Sequence, residues 1–545
     1  MHKEKLCLKD MIIPIIMSLV ISFMFCLYEP IITYAANTDD YWFSFKTLIL
    51  NNLLLFLLLF FVVMIFSAIV YILSLLFKKK KVYSIYLILL FVAFIATYIQ
   101  GNFLAGSLPT LDGSPIIWSN YTKDGVISIA MWCLLLSISI FLFIKYKEKI
   151  FTYMKYISLA VFAMLFVSLC TTLLSNKDIY VNKGTITATN ENLTNLSQNK
   201  NFLILLVDMV DSKTFANVLD EMNMEDIFKD FTYFPDTLSA YPFTRESIPF
   251  ILSGEWFEEQ KSFNDYYNEA LNNSKFLNEL KKQNYDLNIY ESELNWTDMK
   301  ALEVNNIKAI DFAINKISLY KQEFKYILFK YLPFPLKKYS KVEWMDYKLC
   351  RKENLDSSNL FNMDNKINYD LLDEINIQKN NYFHFLHVDG GHYPWNSDSN
   401  FNKIENGTYE QKIESTIKVI DKYIKRIKEA NLYDNSVIIV LADHGNNGYD
   451  SVGRQNPILY IKGFDEKHKN VNISNKKVSF SDLNDSIYYD LLNGKKSFEL
   501  LPNIEKNRVR RFLWYKEYDK MYEQLLDGHA WETDKLKNTG KKYFR

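Results

Sequence analysis

Phe202-Leu-Ile-Leu-Leu-Val-Asp208 is a run of six apolar residues that ends on an acid. A continuous apolar run of this length suits a strand covered on both faces, as in a parallel sheet. Similar runs recur at Leu287–Tyr290, Tyr382–Val388, Val437–Ala442 and Ile458–Ile461. Between two of them, Ile413, Ile417, Ile420, Ile424 and Ile427 recur every three or four residues, the spacing of an amphipathic helix. Strands alternating with helices predict an α/β domain with a mainly parallel sheet. In such a sheet, ligands bind beyond the carboxyl ends of the strands.

Polar residues stand at those ends. The first run stops at Asp208, and Val437–Ala442 leads into Asp443-His444-Gly445. Tyr382–Val388 contains His384 and His387 and is followed by Asp389-Gly-Gly-His392-Tyr-Pro394. In Tyr241-Pro-Phe-Thr-Arg-Glu-Ser-Ile-Pro-Phe-Ile-Leu-Ser-Gly254, Thr244 precedes an expected helix entry at Ser247 and Pro249. Unpaired helix N–H groups there favour a phosphate. Two carboxylates, an imidazole and a hydroxyl make a donor set for one divalent metal, zinc or manganese. Such an ion would lower the Thr244 pKa and polarise a phosphoryl group. Each residue also has a structural reading: Asp208 as a helix cap, Asp443-His444-Gly445 as a turn, and His384 as a packed strand residue.

Composition divides the chain. Of 545 residues, 49% are hydrophobic, and the apolar ones crowd the first third. Five runs, roughly 11–34, 47–77, 82–104, 125–145 and 152–175, are long enough to cross a bilayer. Lys3, Lys5 and Lys9 precede the first, Lys78–Lys81 separate the second from the third, and Lys145, Lys147 and Lys149 separate the fourth from the fifth. These basic loops fall on one side, which predicts a cytoplasmic N-terminus and an extracytoplasmic remainder at the cell membrane. The expected organisation is therefore a membrane domain at 1–176, a linker at 177–200, a catalytic domain at 201–504 and a helical tail at 505–545. Phe324–Tyr339 mixes aromatic residues and lysines and reads either as a core helix or as a segment on the bilayer interface. The net charge of +0 gives no argument for nucleic-acid binding.

Four motifs carry a family resemblance: Leu205-Leu-Val-Asp208, Thr244-Arg-Glu-Ser-Ile-Pro249, Leu386-His-Val-Asp-Gly-Gly-His-Tyr-Pro394 and Asp443-His-Gly445. In this order, behind five spans, they resemble the sulfatase-like branch of the alkaline phosphatase superfamily, in particular the membrane phosphoethanolamine transferases and lipoteichoic acid synthases. That resemblance implies an alkaline-phosphatase-like fold, with Asp208, Thr244, Asp443 and His444 as metal ligands and Thr244 as nucleophile. It implies His387 and His392 on the substrate side or at a second metal; in the expected mechanism His392 moves protons and His387 orients the donor. Arg454 is an added candidate for an anion contact. A phospholipid donor and a surface glycan or lipid acceptor follow as partners.

The chain departs from the transferases in having no His soon after Asp443-His444-Gly445, the next being His468, which leaves a second metal open. Cys350 is the only cysteine beyond the spans, so no disulfide forms within that part. Thr244 cannot become formylglycine, which argues against sulfatase chemistry. A hydrolase with the same site and a non-catalytic membrane sensor or scaffold are the alternatives.

Overall fold

A computed structural model describes residues 11–544 except 39–40, 107, 110, 112–115, 147–148, 181–185, 259–262, 293–302, 310–312, 343–346, 351, 353–358, 447–452, 502–507 and 518–519. The chain divides into two units, Met1–Gly184 with Phe312–Lys352, and Thr185–Asp311 with Glu353–Arg545.

In the first unit, five helices among the described residues are long and apolar enough to cross a membrane: Ile12–Ala36, Phe45–Leu76, Lys81–Phe103, Trp118–Tyr146 and Lys149–Ser175. Each overlaps one of the five apolar runs. Phe45–Leu76 exposes Leu50, Phe61, Val62 and Ile65, the all-round apolar surface of a lipid-facing helix. Lys3, Lys5 and Lys9 lie outside the described residues.

The segment 312–352, expected within the catalytic domain, belongs to this membrane unit instead. Its helix Lys316–Tyr331 brings Lys330 Nζ to 2.6 Å from Glu29 Oε1 of the first span, and the Tyr331 hydroxyl donates to Glu29 Oε2 at 2.5 Å. Asn52 Nδ2 of the second span donates to Glu323 Oε1 at 2.8 Å, and Phe334 N donates to Ser128 Oγ of the fourth at 2.9 Å. Glu29 is buried, so Lys330 and Tyr331 offset a desolvation cost of several kcal/mol for its charge. Within Phe324–Tyr339, Phe329, Tyr331 and Phe334 are buried, while Phe324, Leu336 and Tyr339 are exposed. Sequence pattern missed the assignment because the partners of the segment lie some 200 or more residues away along the chain.

The second unit is built on a seven-stranded sheet. Asn201–Val207 is its central parallel strand, flanked in parallel by Asn381–Val388 and Ser436–Leu441, with Tyr285–Tyr290 parallel at one edge. Leu459–Lys462 runs antiparallel next to Ser436–Leu441, and Thr232–Tyr233 and Asn472–Ile473 complete the other edge. The central strand is apolar throughout because both faces are covered. Phe202, Ile204 and Leu206 pack with Ile248 and Phe250, while Leu203, Leu205 and Val207 pack with Ile413, Ile417 and Ile420. The predicted isoleucine helix is Tyr409–Glu429, opened by a capping box of Thr408 and Gln411.

Two expectations fail in this unit. The 177–200 linker is partly strand: Ile186–Ala188 pairs with Ile307–Ala309, and Asn195–Ser197 with Asn376–Gln378. Strands of three residues are too short to show a period. The 505–545 tail is not helical either; Arg510–Glu517, Lys520–Leu526 and Leu536–Phe544 form an antiparallel sheet. Its Phe, Trp and Tyr content favours strands, a preference that overrode the helical reading of its charges.

The Asp389-Gly390-Gly391 loop crosses the end of the central strand. Asp208 N donates to Val388 O at 3.1 Å and Gly391 N to Asp208 O at 2.7 Å. Gly390 has φ +54, and a Cβ there would lie 2.4 Å from both Asp208 N and Asp208 O. Gly390→Ala should therefore lower stability by about 2–4 kcal/mol. Gly494→Ala, also at positive φ but facing open space, should cost about 1 kcal/mol. Unfolding midpoints of the two variants would check the difference. His384 is a packed strand residue whose Nε2 has no hydrogen-bond partner, and burial lowers its pKa to about 3. The unfolded chain takes up this proton near 6.5 and the folded chain only near 3, so stability falls as pH drops between those values. His384→Leu should remove a slope of up to ~1.4 kcal/mol per pH unit in that window, read from unfolding at pH steps.

Candidate metal centre

Asp208 follows directly on the central strand, and Asp443 and His444 follow the neighbouring Ser436–Leu441 strand. Because the strands are parallel and in register, Leu206 beside Leu441, both ends open on the same edge of the sheet. Met209, at φ 55, turns the chain sharply there, and its N–H donates to Asp443 Oδ1 at 3.1 Å. Asp208 is not a helix cap; Asp211 fills that role, accepting from Thr214 N at 2.8 Å.

Ligand atoms of Asp208, Asp443 and His444 all lie within 4.8 Å of one another, and the three residues are buried. His444 Nε2 is 3.3 Å from Asp443 Oδ2 and 3.9 Å from Asp208 Oδ1. Thr244 is the first residue of the helix Thr244–Ser253, which thus begins earlier than Ser247 and Pro249 suggested. Its hydroxyl lies 3.4 Å from Asp208 Oδ1 and 3.5 Å from Oδ2. Asp443 Oδ2 is buried without a hydrogen bond. Two acids, an imidazole and a hydroxyl around such an oxygen are a donor set that fits zinc or manganese.

The charges of the centre are unbalanced in a way that a cation would relieve. Burial works to raise the pKa of Asp208, but His392, His387 and His444 outweigh it and hold the carboxyl well below its usual range. Burial and the neighbouring Asp208 carboxylate push Asp443 up. Burial, together with Arg454, lowers His444.

His387 faces the same cluster from the Asn381–Val388 strand. Its Nε2 is 3.5 Å from Asp208 Oδ2, and its Nδ1 is hydrogen-bonded to the Glu291 carboxylate. Burial disfavours the imidazolium, yet Glu291 and Asp208 together raise the His387 pKa well above its ordinary value. Sequence reading passed over Glu291. It follows the Tyr285–Tyr290 strand just as Asp208 and Asp443 follow theirs, so the same strand-then-acid signal was present.

His392 is half-buried, and its Nδ1 lies 2.5 Å from Tyr393 O. A carbonyl only accepts, so Nδ1 carries the hydrogen. Lys412, also missed, is buried with Nζ 2.8 Å from Asp389 Oδ2 and anchors the loop that leads to His392. Arg454 is buried with its guanidinium 5.1 Å from the Phe243 ring centre and Nη1 3.5 Å from Pro242 O. It therefore stands beside the segment carrying Thr244. The stretch after Asp443-His444-Gly445, where a further histidine was sought, includes 447–452, outside the described residues.

Residues 200–477 match the family model described as Sulfatase. No curated protein matches the chain. Among solved structures, it resembles Ps i-CgsB in complex with k-i-k-neocarrahexaose, at 15% identity over 60% of this chain and 82% of that one, with a TM-score of 0.39. It also resembles a protein in the alkaline phosphatase superfamily from Vibrio parahaemolyticus, at 14% identity over 66% and 85% of the two chains, with a TM-score of 0.38. A phosphonate monoester hydrolase from Silicibacter pomeroyi is similar at 11% identity over 62% and 88%, with a TM-score of 0.34. The matched residues are just over half of the 545, and the chain belongs to the sulfatase family.

Proposed function

We propose that this chain is a metal-dependent phosphotransferase of the cell membrane. It moves phosphoethanolamine or phosphoglycerol from a membrane phospholipid to a hydroxyl of a surface glycan or lipid, through a phospho-Thr244 intermediate. Its N-terminus is cytoplasmic and its catalytic unit extracytoplasmic, as the distribution of lysines between the spans supports. The observation that carries the reading is the Thr244 hydroxyl, 3.4 Å from Asp208 in the buried Asp208–Asp443–His444 cluster. A threonine there supplies an oxygen nucleophile and cannot supply a formylglycine.

Asp208, Asp443, His444 and Thr244 would hold one zinc or manganese ion, which when bound supplies positive charge to the nucleophile and the phosphoryl oxygens. In the first step Thr244, its hydroxyl proton already given up to solvent, forms a bond from Oγ1 to phosphorus and the bond to the diacylglycerol oxygen breaks, and the second step returns Thr244 as the same alkoxide. His392 Nε2 gives the departing oxygen its proton. In the second step the acceptor hydroxyl bonds to the same phosphorus, passes its proton to His392 and releases Thr244. His387, held by Glu291, presents Nε2 to the centre and orients the donor, and Arg454 adds positive charge beside Thr244.

Incubation with phosphatidylethanolamine or phosphatidylglycerol and either metal should add one head-group phosphate to the intact mass and release diacylglycerol. Thr244→Ala should show neither. An adduct that forms and then decays in water as fast as with any alcohol would support the hydrolase, and no adduct with either lipid would count against the phospholipid donor. Glu291→Gln should slow adduct formation by about tenfold or more while leaving metal binding in place, because it removes the partner that fixes His387. A stopped time course by mass, with metal content measured alongside, would check this.

A further inference from the structure

The loop Gly528–Glu532, between the last two strands of the C-terminal sheet, is fixed by side chains around it. Arg510, fully buried, donates from Nη2 to Gly528 O at 2.8 Å and to Asp236 Oδ1 at 2.8 Å. Asp236, also buried, accepts from Ala530 N at 2.7 Å and bonds His529 Nδ1 at 2.6 Å. Glu532 Oε2 accepts from His529 N at 2.7 Å, and Gln455 Nε2 donates to Ala530 O at 3.0 Å. A buried Arg–Asp pair contributes little net stability, but it holds a fixed geometry. That geometry presents two rings to solvent. His529 and Trp531 stack at 4.6 Å and 2° between planes, with 48% of the His529 side chain and 53% of Trp531 exposed.

The loop adjoins the centre. Gln455 follows Arg454, whose carbonyl accepts from Gly445 N at 2.7 Å and whose guanidinium reaches Pro242 O. The sheet that carries the loop touches the nucleophile segment directly, with Leu513 N donating to Ala240 O at 2.9 Å and the Tyr515 ring 5.2 Å from that of Phe243.

We infer that the His529–Trp531 pair is an acceptor subsite that receives the face of a pyranose ring. The C–H bonds on one face of a sugar carry partial positive charge, which matches the negative face of an aromatic ring. Because buried groups already hold the loop, a sugar pays little ordering entropy when it stacks there. Gln455 holds the loop at Ala530 O while its neighbour Arg454 reaches Pro242 O, so two consecutive residues join the platform to the segment that carries Thr244. The inference rests on the proposed transfer to a surface glycan.

The test separates binding from chemistry. Hexasaccharides of glucose and of N-acetylglucosamine would be titrated into the full-length Thr244→Ala protein in detergent. At least one should bind; Trp531→Ala on that background should weaken it by ~10-fold or more, and Trp531→Phe by no more than ~3-fold. Equal affinity in Trp531→Ala, or no binding of either sugar at millimolar concentration, would overturn the subsite. On the reactive background, Trp531→Ala should still form the Thr244 adduct from phospholipid. Loss of that adduct with unchanged sugar affinity would assign the loop to the lipid and also overturn it. Absence of the adduct from the otherwise unaltered protein would sink the transferase reading while the titration still decides the loop.

Discussion

Two carboxylates, Asp208 and Asp443, are buried within 4.8 Å of a common imidazole, and the catalytic unit is arranged around keeping them there. Like charges at that spacing inside a protein repel strongly. The fold answers with an imidazole and an N–H donor: His387 on one carboxylate and the Met209 amide on the other. What these contacts leave over is an acceptor oxygen on Asp443 with no hydrogen bond. A cation completes such a set better than any further side chain, because it serves both acids at once.

The parallel sheet makes this crowding reachable. Strands that run the same way end on the same edge, so acids far apart along the chain converge without long side chains. The close passage of Gly390 over Asp208 sets the floor of the centre, and any Cβ there would push the carboxylate out of register.

Much of this was legible in the sequence, and the reason is physical. Asp208 and Asp443 each end an apolar run that needs cover on both faces, and a polar residue at that border has few structural uses. Glu291 ends a shorter run interrupted by Asn288, which hid the same signal. The five spans were legible because lipid demands an unbroken apolar length. Less legible were elements defined by partners distant in sequence. Lys330 and Glu323 find their partners, Glu29 and Asn52, only across some 270 or more residues of chain. The tail, rich in Lys, Arg, Tyr and Trp without a clean alternation, is fixed as strand only by the pairing of its three segments with one another.

The path of the chain carries a practical consequence. It leaves the catalytic unit after Asp311, joins the membrane unit for residues 312–352, and returns. The catalytic unit is thus tethered by three covalent passages rather than one. Cutting the polar stretch near residue 184 does not release it cleanly. A fragment beginning there keeps a membrane-unit segment whose Lys330 and Glu323 have lost their counterparts, and whose apolar side is newly bare. Its aggregation would say nothing against the fold of the sheet, and a soluble fragment calls for a short bridge from 311 to 353 in place of a trimmed N-terminus.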